Sequence, residues 1–127
     1  MTKRLAQIDT ESRADFHAAR VMLADCQHVE AACYAAVAVH FPHLSLRDVI
    51  APPEGWHDAT LARQVALHLM VQRFGLPRRH LARSLCVTRW LIAYAQWRVD
   101  ARLDEEAFAS WHGSVSALAV RLVEEAE

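Results

Sequence analysis

The fold of this chain is decided by the stretch LARSLCVTRWLIAYAQWRV, which runs from Leu81 to Val99. It contains three arginines and two tryptophans, and it has no acidic residue. Thr88 is a favoured helix N-cap residue, and the Cys86-Val87 pair before it fits a tight turn. The stretch therefore predicts a short helix, a turn, and a second helix that runs to about Leu103.

Two helices joined in this way are typical of helix-turn-helix modules, whose second helix lies in the major groove of DNA. Their packing requires small and apolar residues around the turn, and Ala82, Val87, Ile92 and Ala95 have suitable spacing. Cys86 stands where glycine is common in such turns. We expect its side chain to pack inward, where the thiol would be inert.

The outward positions of this helix pair indicate two kinds of contact with DNA. Thr88, Arg89 and Trp90 begin the second helix and would face base edges. Phosphates require only positive charge and hydrogen-bond donors. The cations of the first helix that would approach them are Arg78, Arg79 and Arg83. The alternative is a surface helix pair whose arginines face solvent. Trp90 and Trp97 share one helical face, which is more typical of a core or an interface than of base stacking.

Charge is segregated along the C-terminal half of the chain. Residues 71–99, here called the basic block, contain six arginines and no Asp or Glu. Residues 100–127 contain seven acidic residues and two arginines, although the whole chain has a net charge of −1. This segregation predicts an anionic partner for the basic block. It equally allows the acidic tail to fold back on the block.

The composition favours a single all-α domain. The chain has 127 residues, which is enough for one core, and only three of them are glycine and four proline. Ala and Leu are strong helix formers and turn residues are scarce, so we expect a compact multi-helix domain of five to seven helices without a sheet. No apolar run suggests a membrane span, and the polar N-terminus is unlike a signal peptide. We therefore expect a cytoplasmic protein without membrane partners.

Capping residues and helix breakers predict the remaining elements. A first helix, capped by Asp9 or Thr10, is expected to reach about Phe41, with a possible break at residues 25–27. The sequence from Ser45 to Asp48 forms a capping box for a short helix. The next helix, capped by Asp58 or Thr60 after the loop APPEGWHD, is expected to end before Gly75. Pro77 is expected to open the helix that ends near Leu85, and two C-terminal helices, the first starting at Asp104, are expected to be separated at residues 112–114.

Three stretches resemble the C-terminal helix-turn-helix DNA-binding domain of the bacterial replication initiator DnaA and its small DnaA-domain-like relatives. They are VAVHFPHLSLRDVIA (37–51), LARQVALHLMVQRFGLP (61–77) and YAQWRVD (94–100). The resemblance spans residues 29 to 108, roughly. It implies the DnaA-like fold, which is similar to that of the Trp repressor, and it implies binding of double-stranded DNA. By position it assigns contacts with the DNA backbone to Arg63, Gln64, Leu76 and Pro77.

Two departures from that family define a second hypothesis. The family's loop before the ARQ helix is rich in cations, whereas here it reads APPEGWHDA, and the start of the recognition helix also differs. Base-reading residues therefore do not carry over. The first hypothesis is a sequence-specific or architectural DNA-binding regulator of transcription or replication. The second is a protein-interaction module that retains the DnaA-like fold without DNA readout.

Other classes of function are weakly supported by the sequence. Cys26, Cys33 and His40 are seven residues apart, about 10 Å along a helix, which is too far for one zinc ion. We expect no metal, no cofactor, no small-molecule substrate and no enzymatic activity, and the odd number of cysteines indicates reduced thiols. A homodimer is possible on the apolar face of the N-terminal segment. The expected divisions are an N-terminal extension (1–28), the DnaA-like domain (29–112) and an acidic C-terminal helix (113–127).

Overall fold

The computed structural model describes residues 25–126, and within this range its regular elements are helices, with no strand. The helices are α1 (25–39), α2 (Leu46–Ile50), α3 (His57–His68), α4 (Arg78–Ser84), α5 (Arg89–Arg102) and α6 (Glu106–Ala126). The predicted all-α fold is thereby confirmed for this part of the chain. The expected helix start at Asp9 or Thr10 and most of the N-terminal extension lie outside the described residues.

Helix α3 forms the centre of the core because side chains around most of its circumference are buried. Its many alanines allow neighbouring helices to approach closely, since the interaxial distance depends on the side chains at the contact. The helix packs against both α2 and α5. Its buried residues are Ala59, Ala62, Val65, Ala66, Leu67 and His68.

The start of α3 differs from the prediction. The N-cap position is occupied by Trp56, which makes no side-chain capping bond, rather than by Asp58 or Thr60. Asp58 lies in the first turn, where it bonds His43, and Thr60 donates from Oγ1 to the Trp56 carbonyl at 3.0 Å. The predicted caps were wrong because both polar side chains have partners that favour a helix beginning at His57.

Two other predicted helix ends, the cap at Ser45 and the stop at Gly75, are confirmed. Ser45 Oγ accepts the amide N–H of Asp48 at 3.2 Å, as the capping box requires. Beyond α3 the chain makes a π-helical turn, Leu69–Arg73, and stops at Gly75, whose φ of +68° is left-handed. Glycine adopts this conformation without steric cost, so it ends the helix where the sequence predicted.

The helices at the two ends of the described chain are more continuous than expected. Residues 25–27, proposed as a possible break, are helical, and the boundary at residue 28 falls inside α1. The break predicted at residues 112–114 was also wrong, because α6 runs through Gly113 without interruption. Val115 and Ala119 are buried after that position, so packing against the core holds the segment helical despite the glycine. The boundary drawn at residue 113 therefore lies inside one helix.

No helix within residues 25–126 combines the length and the apolar character required to cross a membrane. This includes α6, which has 21 residues but carries polar side chains such as Ser110, His112 and Ser114 in its middle and charged ones at both ends.

Replacing Gly113 by alanine should stabilise the protein. The glycine is exposed, an added Cβ meets no atom within 4 Å, and alanine is favoured over glycine inside a helix by about 0.5–1 kcal/mol. Gly75→Ala is the matched control: its Cβ also meets open space, but φ is +68°, so alanine should destabilise by about 1–2 kcal/mol. Urea denaturation measures both changes. Destabilisation by Gly113→Ala would mean that α6 is broken there, as the sequence suggested.

Candidate nucleic-acid interface

The turn between α4 and α5 comprises residues 85–88, and its geometry is fixed by backbone bonds. Cys86 has a left-handed φ of 54°, and the amide of Val87 donates to the Ala82 carbonyl at 3.0 Å. Thr88 is the N-cap of α5, and its Oγ1 accepts the N–H of Leu91 at 3.1 Å. The predicted tight turn and its cap are therefore present, and they set the direction in which α5 leaves α4.

The side chain of Cys86 does not pack inward as predicted. It is exposed, and its only polar contact among the described residues is a weak one, from Sγ to the Arg83 carbonyl at 3.9 Å. Val87 packs against the core instead. The left-handed backbone at the turn thus turns the thiol toward solvent and the following valine toward the protein.

The inner faces of α4 and α5 provide a rigid base for their outer faces. Leu81 on α4 and Ile92, Ala95 and Val99 on α5 are all buried, and the two helices pack together. Ala82, Leu85 and Val87 are partly buried against the same cluster. The apolar spacing that predicted this packing was therefore correct.

Polar bonds fix α4 at both of its ends. Arg78 donates from Nε to Oε1 of Gln96, a buried residue of α5. Ser84 donates from Oγ to Oε2 of Glu30 on α1 at 3.0 Å. Burial raises the pKa of the Glu30 carboxyl, while the bond from Ser84 opposes that rise. The orientation of α4 is thus set by α5 at one end and by α1 at the other.

All six arginines of the basic block are exposed. Within residues 25–126, no carboxylate oxygen lies within 4.0 Å of their nitrogens, because the ion pairs found there involve other residues. Three of the six lie on α4, two lie on α5, and one ends the π-helical turn after α3. The six are Arg73, Arg78, Arg79, Arg83, Arg89 and Arg98.

The acidic residues that follow the block do not fold back on it within the described range. Asp100 bonds His68 of α3 at 2.7 Å, and Glu125 pairs with Arg121 of its own helix at 3.9 Å. Because no carboxylate oxygen of residues 25–126 lies within 4.0 Å of a nitrogen of the block's arginines, the positive charge of the block faces solvent in the part of the chain that the structure describes.

The residues assigned to backbone contacts by the DnaA resemblance are less exposed than the arginines of the block. Arg63 and Gln64 lie on α3 and are half-buried, and Nε of Arg63 is buried without a hydrogen-bond partner. Leu76 packs against the core, and Pro77 is the half-buried N-cap of α4. Leu76 therefore serves packing through its side chain.

Thr88, Arg89 and Trp90 are all exposed at the start of α5, as predicted. Trp90 and Trp97 are 71% and 63% exposed, so the interpretation of either as a core residue was wrong. Tyr94 lies between them and is 40% exposed, and it was not predicted as a surface residue. Its signal was the i, i+4, i+7 spacing of three aromatic residues. We call Trp90, Tyr94 and Trp97 the aromatic ridge.

The loop before α3 forms an open pocket of about 450 Å³ rather than a cationic arm. Trp56, which is half exposed, and His57 line it, and Nε2 of His43 lies 3.1 Å from Oδ2 of Asp58 across it. The loop carries no Lys or Arg. It therefore adds little positive charge to the basic block.

A chain of titratable groups joins α3, α5 and α6. Nε2 of His68 lies 2.7 Å from Oδ1 of Asp100, and Nδ1 of His68 lies 3.2 Å from Nε2 of His112. A carboxylate only accepts, so His68 donates to Asp100 and receives the N–H of His112. Burial lowers the pKa of His112, and the neighbouring His68 lowers it further while Asp100 opposes the change. No group of three or more potential metal ligands occurs among the described residues.

One of the three thiols should react rapidly in the native protein. Cys86 is exposed, whereas Cys26 and Cys33 are buried, and burial raises the pKa of Cys33 to about 12. Since the thiolate is the reactive form, a thiol reagent should label Cys86 alone until denaturant is added. Cys86→Ser should remove the fast phase. Rapid native labelling of Cys33 would contradict the burial of α1 against the core.

The contribution of His112 to stability should fall as the pH drops below about 6.5, the ordinary pKa of an imidazole. The folded-state pKa of His112 is lower than this value, so the unfolded chain binds the proton more readily and acid favours unfolding. Urea denaturation between pH 5 and 7.5 measures the effect. His112→Gln should flatten the dependence, whereas His57→Gln, at an exposed position, should retain it. Equal slopes in the parent and His112→Gln would contradict this assignment.

No protein-family model, curated protein or solved structure matches this chain. The likeness to the DnaA domain therefore rests on the three sequence stretches alone.

Proposed function

We propose that this protein binds double-stranded DNA through the α4–α5 pair and acts as a regulator of transcription or replication. The observation that carries the proposal is the set of exposed arginines on two packed helices, none of them within 4.0 Å of a described carboxylate. Positive charge of this kind supplies most of the affinity for the DNA backbone. The short turn between the helices is typical of the helix-turn-helix arrangement.

In this proposal α5 is the helix that enters the major groove. Arg89 is its first residue and is exposed, so its guanidinium is available to bind a guanine edge in a bidentate manner. The hydroxyl oxygen of Thr88 accepts the N–H of Leu91 as the cap of α5, and its O–H can still donate to a base edge. Trp90 offers an apolar surface suited to the methyl group of thymine.

The other arginines of the pair would bind phosphates. Arg79 and Arg83 project from α4 and make no ion pair with a described residue. Arg78 is held at Nε by Gln96, so its position relative to α5 is fixed before DNA arrives. Fixed cations lose less side-chain entropy on binding than free ones. These contacts would hold α5 in register on the duplex without selecting its sequence.

A protein-interaction module is the second candidate. It is favoured by the high exposure of Trp90 and Trp97 and by the absence of cations in the loop before α3. Large apolar side chains on a surface are typical of interfaces between proteins. A module of this kind would show no salt-dependent affinity for duplex DNA.

Binding of duplex DNA by arginine variants tests the proposal. At the preferred site, found by selection from random duplexes, Arg89→Ala should weaken binding by about 1–3 kcal/mol and relax the base preference. Arg79→Ala should weaken all duplexes equally and reduce the slope of log K against log salt by about one. Fluorescence anisotropy across a salt series measures both effects.

Arg121→Ala is the matched control, because it removes the same charge from α6, where the side chain pairs with Glu125. It should bind like the parent. The proposal fails if the parent shows no salt-dependent affinity for duplex DNA, or if Arg89→Ala and Arg79→Ala bind as the parent does.

A further inference from the structure

The aromatic ridge is an ordered, outward-facing surface on α5. The rings of Trp90 and Tyr94 are stacked, with centroids 5.2 Å apart and an interplanar angle of 13°. The Tyr94 and Trp97 rings follow at 6.0 Å and 37°. The buried residues Ile92, Ala95 and Val99 lie on the opposite side of the helix, so none of the ridge is required by the core. Tyr94 packs between the two tryptophans, so the ridge presents chiefly the rings of Trp90 and Trp97 to solvent.

These ring surfaces fit unpaired bases better than a duplex. Paired bases cover one another's faces and offer only their edges in the grooves, so flat aromatic side chains cannot stack on them. Trp97 lies seven residues beyond Trp90, or about 10 Å along the helix, past the N-terminal turn that reads bases in helix-turn-helix proteins. Unpaired bases, by contrast, stack readily on exposed Trp and Tyr rings, whatever the base.

The charges around the ridge select an anionic occupant. Arg89 begins the same helix and Arg98 follows Trp97 directly, and both are exposed. The nearest carboxylate in sequence, that of Asp100, is bound to His68. A second copy packed through this face about a two-fold axis would bring these arginines together with their own equivalents. Such like-charge contacts are unfavourable, whereas phosphates between the bases would neutralise them.

We propose that the aromatic ridge binds single-stranded DNA, with its bases stacked on Trp90 and Trp97, which Tyr94 supports from between them, and its phosphates on Arg89 and Arg98. This goes beyond the duplex binding proposed above, because it involves a different ligand and the stacking of bases on ring faces, which the paired bases of a duplex do not allow. Both ligands require α5, so they compete for one protein molecule.

The test compares two fluorescent oligonucleotides of equal length, oligo-thymidylate and an abasic strand, which share phosphates and differ in bases. The parent should bind oligo-thymidylate more tightly, with quenching of tryptophan fluorescence. Trp97→Ala should weaken this binding by about 5- to 150-fold, the effect of losing one stacked base, and should leave binding of the abasic strand unchanged. Trp97→Phe should restore most of the affinity.

Trp56→Ala is the matched control, because Trp56 is 50% exposed but lies on the loop before α3. It should bind both strands as the parent does. Unfolding in urea checks that each variant is folded, which is expected because both side chains are largely exposed. Equal affinity of the parent for the two strands, or an unchanged affinity of Trp97→Ala for oligo-thymidylate, overturns the proposal.

Further measurements separate this proposal from the rival occupants and from duplex binding. The parent should sediment as a monomer. Self-association of the parent that Trp97→Ala abolishes would mean that the ridge is an interface between copies, which overturns the proposal. Unlabelled duplex should displace oligo-thymidylate from the parent. If the parent binds duplex but does not prefer oligo-thymidylate over the abasic strand, only the ridge proposal is refuted. If it prefers oligo-thymidylate but does not bind duplex, only duplex recognition is refuted.

Discussion

The burial of α3 on most of its circumference is the constraint on which the rest of the described structure depends. A helix with a wide apolar face must be covered on that face, so α2 and α5 pack against it. Alanines at positions 59, 62 and 66 keep these neighbours close. The position of α5 thus follows from the need to cover α3, and the surface properties of α5 follow from which of its faces remains outside.

The two faces of α5 have different roles, because one face covers the core and the other remains at the surface. Its inner face supplies Ile92, Ala95 and Val99 to the core, and two polar contacts fix its orientation. Gln96 holds Arg78 of α4, and Asp100 holds His68 of α3. A helix fixed at separate points along its length presents its outer side chains in a defined arrangement, which both a groove contact and a stacking surface require. The outer face is therefore available for ligands without cost to the core.

The two nucleic-acid proposals use different properties of that outer face. Duplex binding depends on charge and on the N-terminal turn of α5, where Arg89 lies beside the capped turn. Single-strand binding depends on the stacked rings of Trp90 and Tyr94 and on Trp97 further along the helix. Because they overlap at Trp90 and Arg89, the protein would exchange one ligand for the other rather than hold both. Under the two proposals, a duplex and its separated strands would therefore compete for this surface.

The sequence by itself determined the features that depend on near neighbours along the chain. Thr88 caps α5, Gly75 ends the turn after α3, and the arginines of the basic block are exposed, because caps, left-handed residues and solvated charges involve only a few adjacent groups. Only the tertiary structure decided which way side chains face at ambiguous positions. The outward direction of the Cys86 thiol, the helical state of Gly113 and the exposure of Trp90 and Trp97 depend on which helix faces meet. The contacts of His68 with Asp100 and His112 join residues 32 and 44 positions apart, and no local pattern encodes such pairings.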